Sequence, residues 1–346
     1  MHKYTYLLRF HSPAFLGNAS QQAQWRTPPI KALLRQWWRV AVAQELEYDV
    51  ARLRQREAAL FGTAADDGGK SNQSRIRIRL SHWDEGKLKD WPRHGTVSHP
   101  EVRNPVGSDL YLGYGPLVFQ NGSTALKNNA AIQAGASATL SLAFPEADAP
   151  ALLHALGMMN RFGTLGGRSR NGWGSFSLQP ADAQTAALKG EPTTRNWQQA
   201  LQLDWPHALG SDTHGLLAWQ TRPFDNWPQL MQELARLKIG LRTQPFFTFP
   251  NERPDGQVHD RHWLSYPITR HEVNDWKKNN LRLPNSLRFK VRPAPGNPQQ
   301  VVGVVFHMPC LPPLAFNPKI DAITNVWQKV HAFLDAPAQH LTRIPA

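Results

Sequence analysis

The chain has 346 residues, with 39 Lys and Arg against 26 Asp and Glu, a formal charge of +13. Apolar residues make up 41% and charged residues 19%, which excludes a highly charged disordered polymer and leaves enough to bury two ordinary cores. The single cysteine, Cys310, excludes an internal disulfide and any multi-cysteine zinc site, and no apolar run approaches the length of a membrane span. Arg9 breaks the opening stretch before a signal-peptide core could form, so a soluble, cytoplasmic protein with no membrane partner is expected. Arginine supplies 26 of the 39 cations. Its planar fork of donors suits phosphate and stacks on bases, so nucleic acid is the first partner to consider.

In chain order, Lys3–His11 alternates Tyr4, Tyr6, Leu8 and Phe10 with polar neighbours and predicts a strand. Phe15–Arg26 predicts a loop. Thr27-Pro28-Pro29 predicts a helix start with Thr27 as N-cap. Ile30, Leu33, Leu34, Trp37 and Ala41 share one face of that helix, which runs to about Val50 and on to Leu60 after a break. Thr63–Ser74 predicts a loop. Ser74–Leu80 predicts a strand with Arg75, Arg77 and Arg79 on one face and Ile76, Ile78 and Leu80 on the other. Residues 82–135 read as an irregular insertion. Ala136–Phe144 predicts a strand, Asp148–Arg161 a helix with Leu152, Leu153, Leu156 and Met159 inward, and Gly174–Leu178 a strand. The order β-α-β-(insertion)-β-α-β is that of a ferredoxin-like domain. Pro180–Thr194 predicts a linker. Beyond it, Trp227–Leu237 and Ile320–Leu334 predict helices, and Leu287–Val291 and Val301–Phe306 predict strands, an ending that fits a second domain of the same type. The expected fold class is α+β: two tandem ferredoxin-like (RRM-like) domains, 1–180 with an insertion at about 82–135, and 195–346.

Three segments concentrate cationic chemistry. On a helical wheel Lys31, Arg35 and Arg39 lie about 100°, 140° and 180° from Ile30, a cationic face with no carboxylate among them. Trp38 lies at its edge, a candidate for stacking on a base, whereas Trp37 faces the core. Arg75, Arg77 and Arg79 would project from one sheet face about 7 Å apart, comparable to successive phosphates. Leu287-Arg288-Phe289-Lys290-Val291-Arg292 repeats that pattern. The most informative stretch is Gly163–Phe176, with Gly166, Gly167, Arg168, Ser169, Arg170 and Asn171 at its centre. Its five glycines permit close backbone approach, and exposed amides of such a loop form an anion-holding concavity. No Gly-Lys-Ser/Thr follows, so it is not a Walker loop, and it leads into a strand, so it is not a dinucleotide fingerprint.

The run Gly166-Gly167-Arg168-Ser169-Arg170-Asn171-Gly172-Trp173-Gly174 resembles the glycine-rich loop of RAMP proteins, RNA-binding subunits of CRISPR effector complexes. The segments Pro13–Gly17, Arg26–Arg39, Leu60–Gly62 and Tyr111–Pro116 resemble, in the same order, those of the first RAMP subunit of Cmr-type (type III-B) complexes. The resemblance covers about the first 180 residues; the second half matches loosely through Leu283–Phe289 and the closing helix. It implies two RAMP domains in tandem and a place in a ribonucleoprotein near the 3′ region of the guide RNA. It also implies contact with target RNA and with other RAMP subunits, cleavage belonging to the backbone subunits. The family's helix usually carries a Gly and a further Arg where this chain has Ala32 and Gln36, which trims the basic face.

The expectation is therefore a non-catalytic RNA-binding subunit without cofactor or metal. Its candidate contacts are Arg26, Lys31, Arg35, Trp38, Arg39, Arg75, Arg77, Gly166, Gly167, Arg168, Ser169, Arg170 and Asn171. Two alternatives stand beside it: a metal-independent RAMP ribonuclease that processes guide precursors, with His11 or His154 as conceivable acid–base groups, and an assembly subunit that never touches RNA. His259-Asp260-Arg261-His262 has ligand-like spacing but no third ligand cluster, and a surface loop fits it better.

Overall fold

A computed structural model describes residues 1–64, 71–127, 131–250 and 255–345. Its elements, in chain order, begin with β1 (His2–Phe10), α1 (Thr27–Val42), α2 (Val50–Phe61), β2 (Arg77–Leu80), β3 (Thr96–Val97), β4 (Val106–Gly107), α3 (Ser108–Gly113), β5 (Leu117–Gln120) and β6 (Ser123–Leu126). They continue with β7 (Ser137–Phe144), α4 (Ala149–Phe162), β8 (Phe176–Pro180), β9 (Thr194–Asn196), α5 (Trp197–Ala200), β10 (Leu209–Asp212), β11 (Gly215–Leu216), β12 (Ala218–Gln220) and α6 (Trp227–Arg242). The last are α7 (Asn274–Lys278), β13 (Leu287–Ala294), β14 (Asn297–His307), α8 (Ile320–Asp335) and β15 (Thr342–Arg343). The class is mixed α+β with antiparallel main sheets. No helix among the described residues is long and apolar enough to cross a membrane.

The chain divides into two compact units, each assembled from separated stretches. The first comprises 1–93, 113–193 and 290–301; the second comprises 94–112, 194–289 and 302–345 of the described residues. In the first, β1, β2, β7 and β8 form a sheet in the order β2-β7-β1-β8, every neighbour antiparallel. Alternation decides which side is core: Tyr6, Leu8, Phe10, Leu140, Leu142 and Leu178 are buried. α1 and α4 pack on each other and on this sheet.

The four-stranded sheet β13-β14-β12-β15 has the same logic: strand, helix α6, two strands, helix α8, strand. Its pairings β12–β14 and β12–β15 are antiparallel. A smaller sheet, β11-β10-β9, adds one parallel pair, β9–β10. The insertion is more ordered than its composition suggests. It contains the hairpins β3–β4 and β5–β6 and helix α3. Of the loop expected at Thr63–Ser74, residues 65–70 lie outside the described residues.

Two local expectations are corrected. Thr27 is the first helical residue of α1, and the N-cap is Arg26, without a side-chain bond. Pro28 and Pro29 lack amide hydrogens, so two of the usual orphan donors are absent and a capping side chain has less to satisfy. α1 also ends earlier than predicted. Glu47 and Tyr48 adopt φ of 53° and 60°, and this left-handed pair turns the chain back so that Asp49 caps α2 through the amides of Ala51 and Arg52.

Candidate nucleic-acid interface

The outward face of α1 forms one wall of a groove of about 620 Å³, closed on the other side by Phe61–Ala64, Asn72 and Ser74. Lys31, Arg35, Gln36 and Arg39 line it, and no carboxylate is among its described lining residues. Lys31 Nζ donates to the Phe61 carbonyl at 3.0 Å; burial, then the charge of Arg35, pulls its pKa below the ordinary lysine range.

The arginines are not carboxylate-free, which corrects the wheel reading. Glu57, on α2, is 3% exposed and accepts hydrogen bonds from both Arg35 and Arg39. Arg39 Nη2 donates a further bond to it at 2.7 Å. Burial works to raise the Glu57 carboxyl, but the bonds from Arg39 and Arg35 outweigh it and hold its pKa below the usual carboxylate range. The arginine side chains remain 40% and 39% exposed, so each still presents donors outward. Three cations against one carboxylate leave an excess of two charges at this wall.

Trp38 is likewise corrected: it is 1% exposed and packs edge-on against Phe61, 5.5 Å between ring centroids. Besides the sheet and α4, α1 has a further neighbour: α2 covers its flank at Trp38. Trp38 is a core residue and offers no face to a base.

The glycine-rich loop is pinned from within. Gly167 N donates to Phe15 O (2.9 Å), Gly174 N to Pro13 O (2.8 Å), Leu165 N to Gly174 O (2.9 Å) and Asn171 N to Arg168 O (2.9 Å). Ser12 Oγ and Ser175 Oγ both donate to Gly172 O at 2.7 Å. These amides are spent inside the fold, so the expectation of a row of bare amides fails at Gly167, Asn171, Gly172 and Gly174. The glycines serve close approach instead: a Cβ on Gly166 would meet Phe15 O at 2.7 Å, and one on Gly174 would meet Leu165 O at 1.8 Å. Trp173 is buried beside Phe15 and Trp91, centroids 5.3 and 5.5 Å away. What the loop does present outward is Arg168, exposed and at φ 54°. Ser169, Arg170 and Asn171 beside it are half-buried. A Cβ on Gly115 would lie 3.4 Å from the Arg168 guanidinium, and the adjoining Tyr114 is 66% exposed. The sequence reading did not select Tyr114 as a contact.

One segment joins the loop to the head of α1. Arg26 Nη1 donates to Gly17 O at 2.8 Å, while Gly167 holds Phe15 O two residues away. Arg26 and Gly167 thus both bond to 13–17, and Gly166 packs closely against Phe15. Arg75 and Arg77 are elsewhere. Arg75 pairs with Asp148 at 3.7 Å, and Arg77 projects from the edge strand β2.

The repeat of that pattern at Leu287–Arg292 is overturned. Lys290 is fully buried, and its ammonium donates to Asn160 O (2.6 Å), Gly163 O (2.7 Å) and Met159 O (3.4 Å) at the end of α4. Met159 O also accepts from Gly163 N, whereas the Asn160 and Gly163 carbonyls at this helix end depend on the ammonium, and a cation suits that pole. Its neighbour Val291 N donates to Ser175 Oγ at 2.8 Å. Of the two histidines, His11 bonds Ser177 Oγ at 2.8 Å, and burial with Lys290 and Arg9 nearby lowers its pKa to about 4; His154 bonds Glu191 O at 3.0 Å.

Residues 7–177 match the model of the RAMP superfamily. No curated protein matches the chain in sequence. Among solved structures it is similar to Cmr1 from Pyrococcus furiosus in its apo form, at 16% identity over 99% of this chain and 98% of that one, TM-score 0.47. It is also similar to a chain of a type III-B Cmr-beta complex bound to cognate target RNA, at 11% identity over 96% and 99%, TM-score 0.49. A chain of a type IV-B CRISPR complex is similar over 56% of this chain and 96% of its own, at 17% identity and TM-score 0.34.

Proposed function

We propose that this protein is a non-catalytic RNA-binding subunit of a type III-B-like CRISPR ribonucleoprotein, built from two tandem ferredoxin-like RAMP domains, 1–180 and 195–346. It would contact guide RNA, in the 3′ region, or target RNA, or both, alongside other RAMP subunits. The observation that carries this reading is the α1 groove: Lys31, Arg35 and Arg39 keep an excess of two charges beside a polar floor of Thr63, Asn72 and Ser74. The match of residues 7–177 to the RAMP superfamily model and the ordered run of resembling segments from Pro13 to Gly174 support it. The contacts are to backbone rather than bases, because the one aromatic on α1 offered for stacking is buried. Sequence choice then falls to guide–target pairing.

The test is salt-dependent binding of a single-stranded RNA to the full chain. If six to ten phosphates are engaged, affinity falls roughly 10³–10⁵-fold between 50 and 200 mM salt. Lys31→Ala with Arg35→Ala, both in the groove wall, is expected to flatten the log–log slope by about 1.4, two contacts' worth for a single strand. A folded double variant with the wild-type slope rejects the groove. Incubation with repeat RNA in EDTA tests the ribonuclease alternative: specific products that vanish in His11→Ala would replace the binding reading.

A further inference from the structure

The sheet of the first unit has a second face. Most of its helix-side residues, among them Tyr6, Leu8, Phe10, Leu140, Leu142 and Leu178, are buried, whereas every outward residue of β1, β2, β7 and β8 is at least partly exposed. Strand pairing arranges that face in rows. Arg77 stands beside Ala143 and Lys3; Arg79 stands beside Ser141 and Thr5; Ser137, Arg9 and Ser177 form a row further along. The four strands together contain no Asp or Glu. Carboxylates at the border are engaged: Asp148 by Arg75 (3.7 Å), Glu146 by His2 (3.3 Å), and Asp182, near Lys3, by the amides of Gln184 and Thr185 (3.1 and 2.8 Å). Among the described residues, no ion pair joins Lys3, Arg9, Arg77 or Arg79 to a carboxylate.

We propose that this open sheet face is a nucleic-acid surface distinct from the α1 groove, which grips the sugar–phosphate backbone of RNA. Charge complementarity selects the occupant. Like charges on neighbouring positions repel, and Arg77 and Arg79 stand about 7 Å apart, close to the pitch of successive phosphates. The uncharged positions among them are mostly Ser and Thr, small enough to let a backbone approach and able to hydrogen-bond phosphate or the 2′-hydroxyl. The outward positions of the four strands carry no aromatic side chain, and the His11 ring at the face's end is half-buried and bonded to Ser177 Oγ, so bases find little to stack on. These cations lie on the side of the sheet away from α1, so the proposal stands or falls independently of the groove.

The experiment uses the full chain and an unstructured 20-nucleotide RNA, with binding followed by fluorescence anisotropy from 50 to 300 mM salt. Arg9→Glu with Arg79→Glu is expected to weaken binding at least about ten-fold at 150 mM salt and to flatten the slope by about 1.4. Arg9→Gln with Arg79→Gln is expected to fall between this variant and wild type, and serves in its place if the reversal fails to fold. Lys31→Glu, measured in parallel, separates the two surfaces. A loss confined to Lys31→Glu overturns the sheet-face proposal and keeps the groove; a loss confined to the arginine variants keeps the sheet face and removes the groove. If the arginine variants bind RNA as wild type does and instead lose an acidic protein from the complex isolated from the native host, the face is a protein-docking surface and the proposal is wrong.

Discussion

At the scale of single residues, Glu57 sets the electrostatics of the groove. It neutralises one of two arginines that would otherwise repel across one helical turn, and it competes with any incoming phosphate for their donors. Glu57→Gln should therefore act in two opposite directions. It should lower stability by roughly 1–3 kcal/mol, since it removes the counter-charge of two partly exposed guanidinium groups. It should also tighten RNA binding if the groove is the site, because the internal competitor is gone. Denaturant melts and anisotropy on one preparation read both; tightening without destabilisation would show that the clamp contributes nothing to the fold. Lys290→Met tests another buried charge. It leaves the carbonyls of Asn160 and Gly163, at the end of α4, without their donor, and a loss of roughly 2–4 kcal/mol is expected in urea unfolding.

At the scale of elements, the glycine-rich loop owes its path to close packing. Gly174 has φ +64°, and a Cβ there would overlap Leu165 O at 1.8 Å, so Gly174→Ala should cost several kcal/mol and appear mainly as insoluble protein. Gly215, also at positive φ but in open space, should tolerate Ala at about 1 kcal/mol in thermal melts. The same elements show what the sequence could convey. Long periodic segments such as β1, α1, β7, α4 and α8 were legible because one buried face imposes its period on the chain. The second sheet was half-hidden because β12 has three residues and β15 two, too short to show alternation. Glu57 had a visible signal: it sits on α2 in the buried stripe of Leu53, Leu60 and Phe61, where an acid needs a partner. Trp38 and Lys290 had none, since their surroundings come from α2 and from a segment 127 residues away from Gly163.

At the scale of the whole molecule, buried imidazoles tie stability to pH. Burial lowers His11, His207 and His331 to about 4 from an ordinary 6.5. The folded protein holds them neutral, while an unfolded chain takes up protons below 6.5, so stability should drop as pH falls from about 6.5 towards 4. The Glu57 clamp adds to this at the acid end, since its contribution is present above the ordinary carboxylate range and is lost as pH falls through its depressed value. Urea midpoints at pH 7.5, 6 and 4.5 should decline in that order, and a flat profile would mean that the rings stay accessible to solvent.

The return of residues 290–301 to the first unit makes the protein impossible to cut at its apparent seam. A fragment stopped at residue 193 would keep α4 and Ser175 but forfeit Lys290 and Val291, which arrive from downstream. Such a truncation should come out of the ribosome as a half-latched module, prone to aggregate, and a synthetic peptide spanning 287–301 supplied in trans should restore its solubility. For a protein made from one end to the other, the first unit therefore cannot close until translation has passed well into the second.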